Sequence, residues 1–186
     1  MRLFTGLDLP DAVTGNLETL LRRLKPAARI QWSPLANLHV TTKFIGEWPE
    51  ARLGELKAAL AALAGRPPIR VEIRRLGFFP NPRAPHTFWC GIEAPGLAEL
   101  AAATDQATAA LGVAPEKRAF SPHLTLARIT RTNGPLALQP LQDAIAGLSS
   151  LEFGGFTAAS FFLYQSTLRP GGSVYTKLAE FPLTKS

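Results

Sequence analysis

Two of the three histidines in this chain sit in matching surroundings. His39 lies in Ser33-Pro34-Leu35-Ala36-Asn37-Leu38-His39-Val40-Thr41-Thr42, and His123 in Ser121-Pro122-His123-Leu124-Thr125-Leu126. Each is a His-x-Thr tetrad after a Ser-Pro element, and both stretches are rich in strand-forming residues. Side chains at i and i+2 of a strand share a face. His39 therefore projects with Thr41 while Val40 and Thr42 turn away. His123 projects with Thr125 while Leu124 and Leu126 turn to the core. If the halves are related by a pseudo-twofold axis, the two faces meet across a cleft that holds two imidazoles and two hydroxyls.

That set of groups suits phosphodiester chemistry. Imidazole titrates near neutrality, so one ring can accept a proton from water while the other gives one to a departing ribose oxygen. Each transfer is typically worth about 10² to 10⁴ in rate. The hydroxyls can donate hydrogen bonds to nonbridging phosphate oxygens, where charge grows in the transition state. The scheme needs no metal and no cofactor, and two histidines without a third clustered ligand make a poor zinc site.

The elements that must position these residues read as a mixed order of strands and helices, an α+β chain. Residues 2–8 alternate as a strand. A helix spans 11–25, with Leu17, Leu20, Leu21 and Leu24 at helical spacing, started by Pro10-Asp11 and stopped by Pro26. A short extended piece covers 29–32, and a strand covers 38–45. A second helix runs over 49–64, and strands over 69–76 and 87–93 flank a loop marked by Pro80, Pro82 and Pro85. The second half follows a similar plan: helix 97–111, strand 123–129, short helix 141–148, then strands 156–165 and 173–178 about a turn at Pro170-Gly171-Gly172. No low-complexity linker divides the halves, so residues 1–186 are expected to form a single domain of two lobes, each supplying one tetrad.

Composition narrows the class. Hydrophobic residues make up 46% and charged residues 18% of 186 residues, values of a globular chain. No apolar run approaches the length of a membrane span. The N-terminal apolar stretch is short and interrupted by Asp8, which reads as a strand and predicts a cytoplasmic protein. Cys90 is the lone cysteine, in the apolar run Phe88–Ile92, and reads as a buried structural thiol. The net charge of +6 is spread along the chain, which suits steering of a phosphorylated substrate rather than wrapping of a long duplex.

At both tetrads the sequence resembles the two-histidine (2H) phosphoesterases, and among them the LigT-like RNA 2′,3′-cyclic phosphodiesterases. The resemblance runs nearly end to end. It takes in Met1–Phe4 and Leu7–Pro10, Asn37–Gly46, Arg118–Arg128, and the closing Leu168-Arg169-Pro170-Gly171-Gly172-Ser173-Val174-Tyr175. It implies a bilobal fold of mainly antiparallel sheet, with helices outside and a central cleft. It implies hydrolysis of a terminal 2′,3′-cyclic phosphate to a 2′-phosphate, on RNA ends or small cyclic nucleotides, by a monomer. On that pattern His39 matches the proton donor, His123 the proton acceptor, and Thr41, Thr125 and Arg128 the phosphate-binding groups.

Strict alternation puts Arg128 on the face opposite His123, so the pattern demands a bend in the strand or a side chain that curls back. Lys43 shares parity with His39 and Thr41, which allows it either to line the cleft or to stand in solvent. Phe44 and Trp32 could stack on a base but read first as core residues. His86, in the proline-rich loop, matches no family motif and reads as solvated. Two other activities stay open: 2′–5′ RNA ligation or 2′–5′ phosphodiester cleavage by the same histidines, and RNA-end binding without catalysis.

Overall fold

In the computed structural model, residues 1–130 and 135–184 are described. Among them, nine strands and four α-helices follow the order β1 (Arg2–Leu7), α1 (Asp11–Leu24), β2 (Gln31–Trp32), β3 (Val40–Glu47), α2 (Leu53–Ala61), β4 (Ile69–Phe79), β5 (Thr87–Glu93), α3 (Leu97–Ala109), β6 (His123–Arg128), α4 (Gln139–Ala146), β7 (Glu152–Ala158), β8 (Ser160–Arg169) and β9 (Gly172–Pro182). The strands make two antiparallel sheets. The first has order β3-β1-β8-β9, and the second β2-β6-β5-β4-β7. The α+β class expected from the pattern is what the chain adopts.

Each half repeats strand, helix, strand, helix, and each then sends a long strand into the other half's sheet. β4 leaves the first half to pair with β5, and β8 returns to pair with β1. The helices cross over too. α1 packs on β7 of the second sheet, where Asn16 donates to the Phe153 carbonyl, and α3 packs on β3 of the first. This exchange makes the two halves one interleaved core rather than two separable ones.

Local sequence explains the elements. On α1, Val13, Leu17, Leu20, Leu21 and Leu24 are buried on one face, each burial worth about 1.5–3 kcal/mol. Asp11 in the first turn and Arg22 and Arg23 in the last suit the helix dipole. Helix 49–64 proves shorter: Glu50–Arg52 is a 3-10 turn ahead of α2, and the helix proper ends at Ala61. The strand expected at 69–76 runs on to Phe79, with Arg75 at φ 71° where its pairing with β5 shifts register.

The stretch 156–165 is not one strand. It belongs to two, β7 in the second sheet and β8 in the first, broken at Ala159. No glycine or proline marks the break, so the run reads as continuous. The chain changes sheets there, and the Ala159 carbonyl accepts from Leu183 N–H.

Cys90 is fully buried, and burial pushes its thiol up to about 12. Trp32 is half-buried, edge-on to Phe88, with its indole N–H donating to the Ala28 carbonyl. It is a packing residue, as expected. No described helix is long and apolar enough to cross a membrane.

Candidate active site

His39 sits one residue ahead of β3 and His123 opens β6. The two rings are oriented the same way. His39 Nδ1 lies 2.7 Å from the Asn37 carbonyl, and His123 Nδ1 lies 2.8 Å from the Ser121 carbonyl, each two residues back. A carbonyl can only accept, so each Nδ1 carries the hydrogen and each Nε2 is left to do chemistry. His39 Nε2 is 2.8 Å from Thr41 Oγ1. The tetrads are brought together through the segment ahead of His39, where Ser33 N–H donates to the Leu126 carbonyl and Ser33 Oγ to that of Thr125. His123 is close enough for its charge to act on His39.

A bulge recurs at the same place on both strands. On β3, Thr41 pairs with Gly6 and Lys43 with Thr5, leaving Thr42 without a partner. On β6, Thr125 pairs with Trp89 and Ala127 with Phe88, leaving Leu126 without one. An inserted residue reverses the alternation of all that follow. Thr42 and Lys43 are therefore both buried, as are Leu126 and Ala127, while Phe44 and Arg128 return to the face of the threonines.

This placement settles the geometry that strict alternation left open for Arg128: the strand bulges, and the side chain shares the side of His123 and Thr125. It also corrects the parity reading of Lys43. That residue neither lines the cleft nor stands in solvent; it is 5% exposed, donates to Asp105 on α3 at 2.5 Å, and donates to the Ala114 carbonyl. Phe44, read first as a core residue, is 63% exposed, with its ring 6.2 Å from that of Phe4. Thr42 faces the core, as alternation predicts, and its hydroxyl is 2.7 Å from that of Thr5.

Aromatic rings hold both imidazoles. Phe4 lies 4.7 Å from the His39 ring and stacks on Tyr164, while Tyr175 meets His39 edge-on at 5.1 Å. Burial among them pulls the His39 imidazole below its ordinary value. The Asn37 carbonyl and the Asp8 carboxylate push the other way, and His123 adds to the lowering. On the other side Phe79 is edge-on to His123 at 5.1 Å and packs on Trp89 at 5.2 Å. The indole lies over Gly77, where an added Cβ would come within 2.2 Å of the ring. The sequence alone assigns none of Phe4, Phe79, Trp89 or Tyr164 to the site. The signal available was the period-2 set Phe4, Gly6, Asp8 on a strand that must lie beside the first tetrad.

His86 is exposed in the loop, its N–H donating to the Phe79 carbonyl. Among the described residues, no three His, Cys, Asp or Glu side chains cluster as a metal site.

The family model described as LigT like Phosphoesterase matches residues 7–89 and 92–175, one tetrad in each segment. An RNA 2′,3′-cyclic phosphodiesterase of Archaeoglobus fulgidus is 31% identical over 182 residues, covering 97% of this chain and 99% of the relative. One of Methanothermobacter thermautotrophicus is 32% identical over 98% of this chain and 99% of its own length. Among solved structures, a Thermus thermophilus protein superposes over the whole of both chains with a TM-score of 0.82 at 29% identity. Escherichia coli LigT bound to 3′-AMP superposes at 0.77 with 26% identity, over 99% of this chain and 98% of the other. A matched family model over both halves, relatives above 30% identity along almost the full length, and two sheets that each present one His-x-Thr tetrad lead to one statement: this chain belongs to the LigT-like phosphoesterase family.

Proposed function

We propose that this protein hydrolyses the 2′,3′-cyclic phosphate at the end of an RNA, or of a small cyclic nucleotide, to a 2′-phosphate. The observation that carries the reading is the matched pair of imidazoles, each with Nδ1–H held by a carbonyl two residues back, and with His39 Nε2 beside the Thr41 hydroxyl. The names of the relatives support the same substrate.

In this scheme His123 Nε2 takes a proton from water as the oxygen attacks phosphorus. The bond from phosphorus to O3′ breaks, and His39 Nε2 gives O3′ its proton. A 2′-phosphate and a free 3′-hydroxyl result. Thr41 and Thr125 donate to the nonbridging oxygens as charge builds. Arg128 supplies a guanidinium to the same phosphate, where a charge-assisted hydrogen bond is stronger than a neutral one. Phe44 offers an exposed ring to the base. Lys43 has no part in binding, since its ammonium is committed to Asp105. The two tetrads, one from each sheet, work within a single domain of two lobes.

The test is a short RNA with a 2′,3′-cyclic phosphate end, incubated with the protein in chelator. Conversion to a phosphatase-sensitive 2′-phosphate end supports the reading. Joining of two RNAs, or binding without conversion, overturns it.

A further inference from the structure

Beside His39 lies an open cleft of about 450 Å³ whose walls include Asp8, Asn37, Tyr164, Tyr175 and Lys177. Asp8 follows β1 and is held at both oxygens. One accepts from Leu9 N–H at 3.0 Å, and the other pairs with Lys177 Nζ. Lys177 is itself fixed, its ammonium 4.2 Å above the centre of the Phe162 ring. A carboxylate and a cation are thus fastened to the wall that holds one of the two imidazoles.

The reaction makes opposite demands on the two histidines. The acceptor must be neutral and the donor must carry its proton. His39 lies among Phe4, Tyr164 and Tyr175, a setting that disfavours a cation. The charged and titratable groups that face it are Asp8 from the end of β1, His123 from β6, Tyr164 from β8, and Tyr175 and Lys177 from β9. The phenol of Tyr164 is held neutral by burial and by Asp8. Asp8 favours the imidazolium, whereas Lys177 and a charged His123 oppose it.

We propose that Asp8 is a positioning residue for the acid: its carboxylate, on the wall of the same cleft, favours the protonated form of His39 against the burial that opposes it, and Lys177 attenuates that effect. The proposal rests on the reading of His39 as proton donor.

Two conservative variants test it. Asp8→Asn keeps an oxygen for Leu9 N–H, and Lys177→Met keeps an alkyl chain over Phe162. With three histidines in the chain, the imidazole C–H resonances of His39, His86 and His123 can be followed individually by NMR, assigned with His86→Gln and His123→Asn. The titration midpoint of His39 should move to lower pH in Asp8→Asn and to higher pH in Lys177→Met. The alkaline limb of kcat/KM for a nucleoside 2′,3′-cyclic phosphate should move with it. At pH 8, Asp8→Asn should lose on the order of three- to tenfold against wild type and converge with it toward acid. A His39 midpoint that stays in place in both variants overturns the proposal, whatever happens to the rate. So does a midpoint that moves while the alkaline limb does not. The titration needs no substrate, so a wild-type protein without hydrolysis would count against the functional reading and be read separately.

Discussion

Phe44 and Arg128 hold the same position in the two halves, separated by the same 84 residues that separate His39 from His123. Each comes two residues after an unpaired bulge residue and is returned by it to the face of the tetrad. The fold thus presents one aromatic ring and one guanidinium at matched places. The first suits a base, and the second suits a phosphate.

Replacing Arg128 with Leu should therefore lower kcat/KM for every cyclic nucleotide. Loss of a hydrogen bond to a charged group costs about 1.5–3 kcal/mol, on the order of 10- to 100-fold. Phe44→Ala should act differently. It should raise KM for nucleotides by the value of a stacking contact, about 1–3 kcal/mol, and leave a base-free ribose cyclic phosphate unaffected. Steady-state kinetics on the two substrate types separates the effects.

The threonine hydroxyls are assigned to growing phosphate charge, so their loss should fall on kcat more than on KM. Thr41→Val and Thr125→Val should each reduce kcat on the order of 10²- to 10³-fold, and the serine variants should recover most of it. Equal loss in valine and serine variants would mean that the methyl group, through packing, is what matters.

How much of this was legible in the sequence depends on the residue. His39, Thr41, His123 and Thr125 were readable because they precede the bulge, where alternation still holds. Lys43 and Phe44 were misread because they follow it. An unpaired Thr42 leaves no mark in a β-branched run, and only the pairing with β1 reveals it. Arg128 exposed the problem, since the family pattern and strict alternation disagreed there. The exchange of β4 and β8 between sheets was not readable, and the break at Ala159 carries no turn residue. Such long-range pairing depends on which edge each strand meets rather than on its own residues.

Lys43 now has a structural task that can be measured. Its buried ammonium is paired with Asp105, which is 24% exposed on its side chain. Lys43→Met should destabilise the fold by about 1–3 kcal/mol at neutral pH, with hydrolysis per folded molecule unchanged. Hydrogen bonding from Lys43 and from Glu116 N–H, with the Lys43 charge, holds the Asp105 carboxyl below the usual carboxylate range against some cost of burial. A depressed carboxylate stabilises fully above its unfolded pKa and loses that contribution as pH falls through its folded value. The difference in stability between wild type and variant should thus shrink on acidification below about pH 4. Denaturant melts across pH check this.

Gly6 faces Thr41 at the bulge, and a Cβ there would come within 2.6 Å of the Val40 carbonyl oxygen. Gly6→Ala should force β1 and β3 apart, cost about 1–3 kcal/mol, and lower activity by displacing His39 and Thr41. An alanine variant with wild-type melting and kinetics would contradict the packing described at this bulge.

The most direct test of the account is the product made from a nucleoside 2′,3′-cyclic phosphate by wild type, His39→Ala and His123→Ala, each shown folded by its melting curve, with chelator present. Wild type should release the 2′-phosphate alone, and each variant should lose on the order of 10² to 10⁴ in rate. Release of the 3′-phosphate, or either variant retaining near wild-type turnover, would contradict acid and base catalysis by these two histidines.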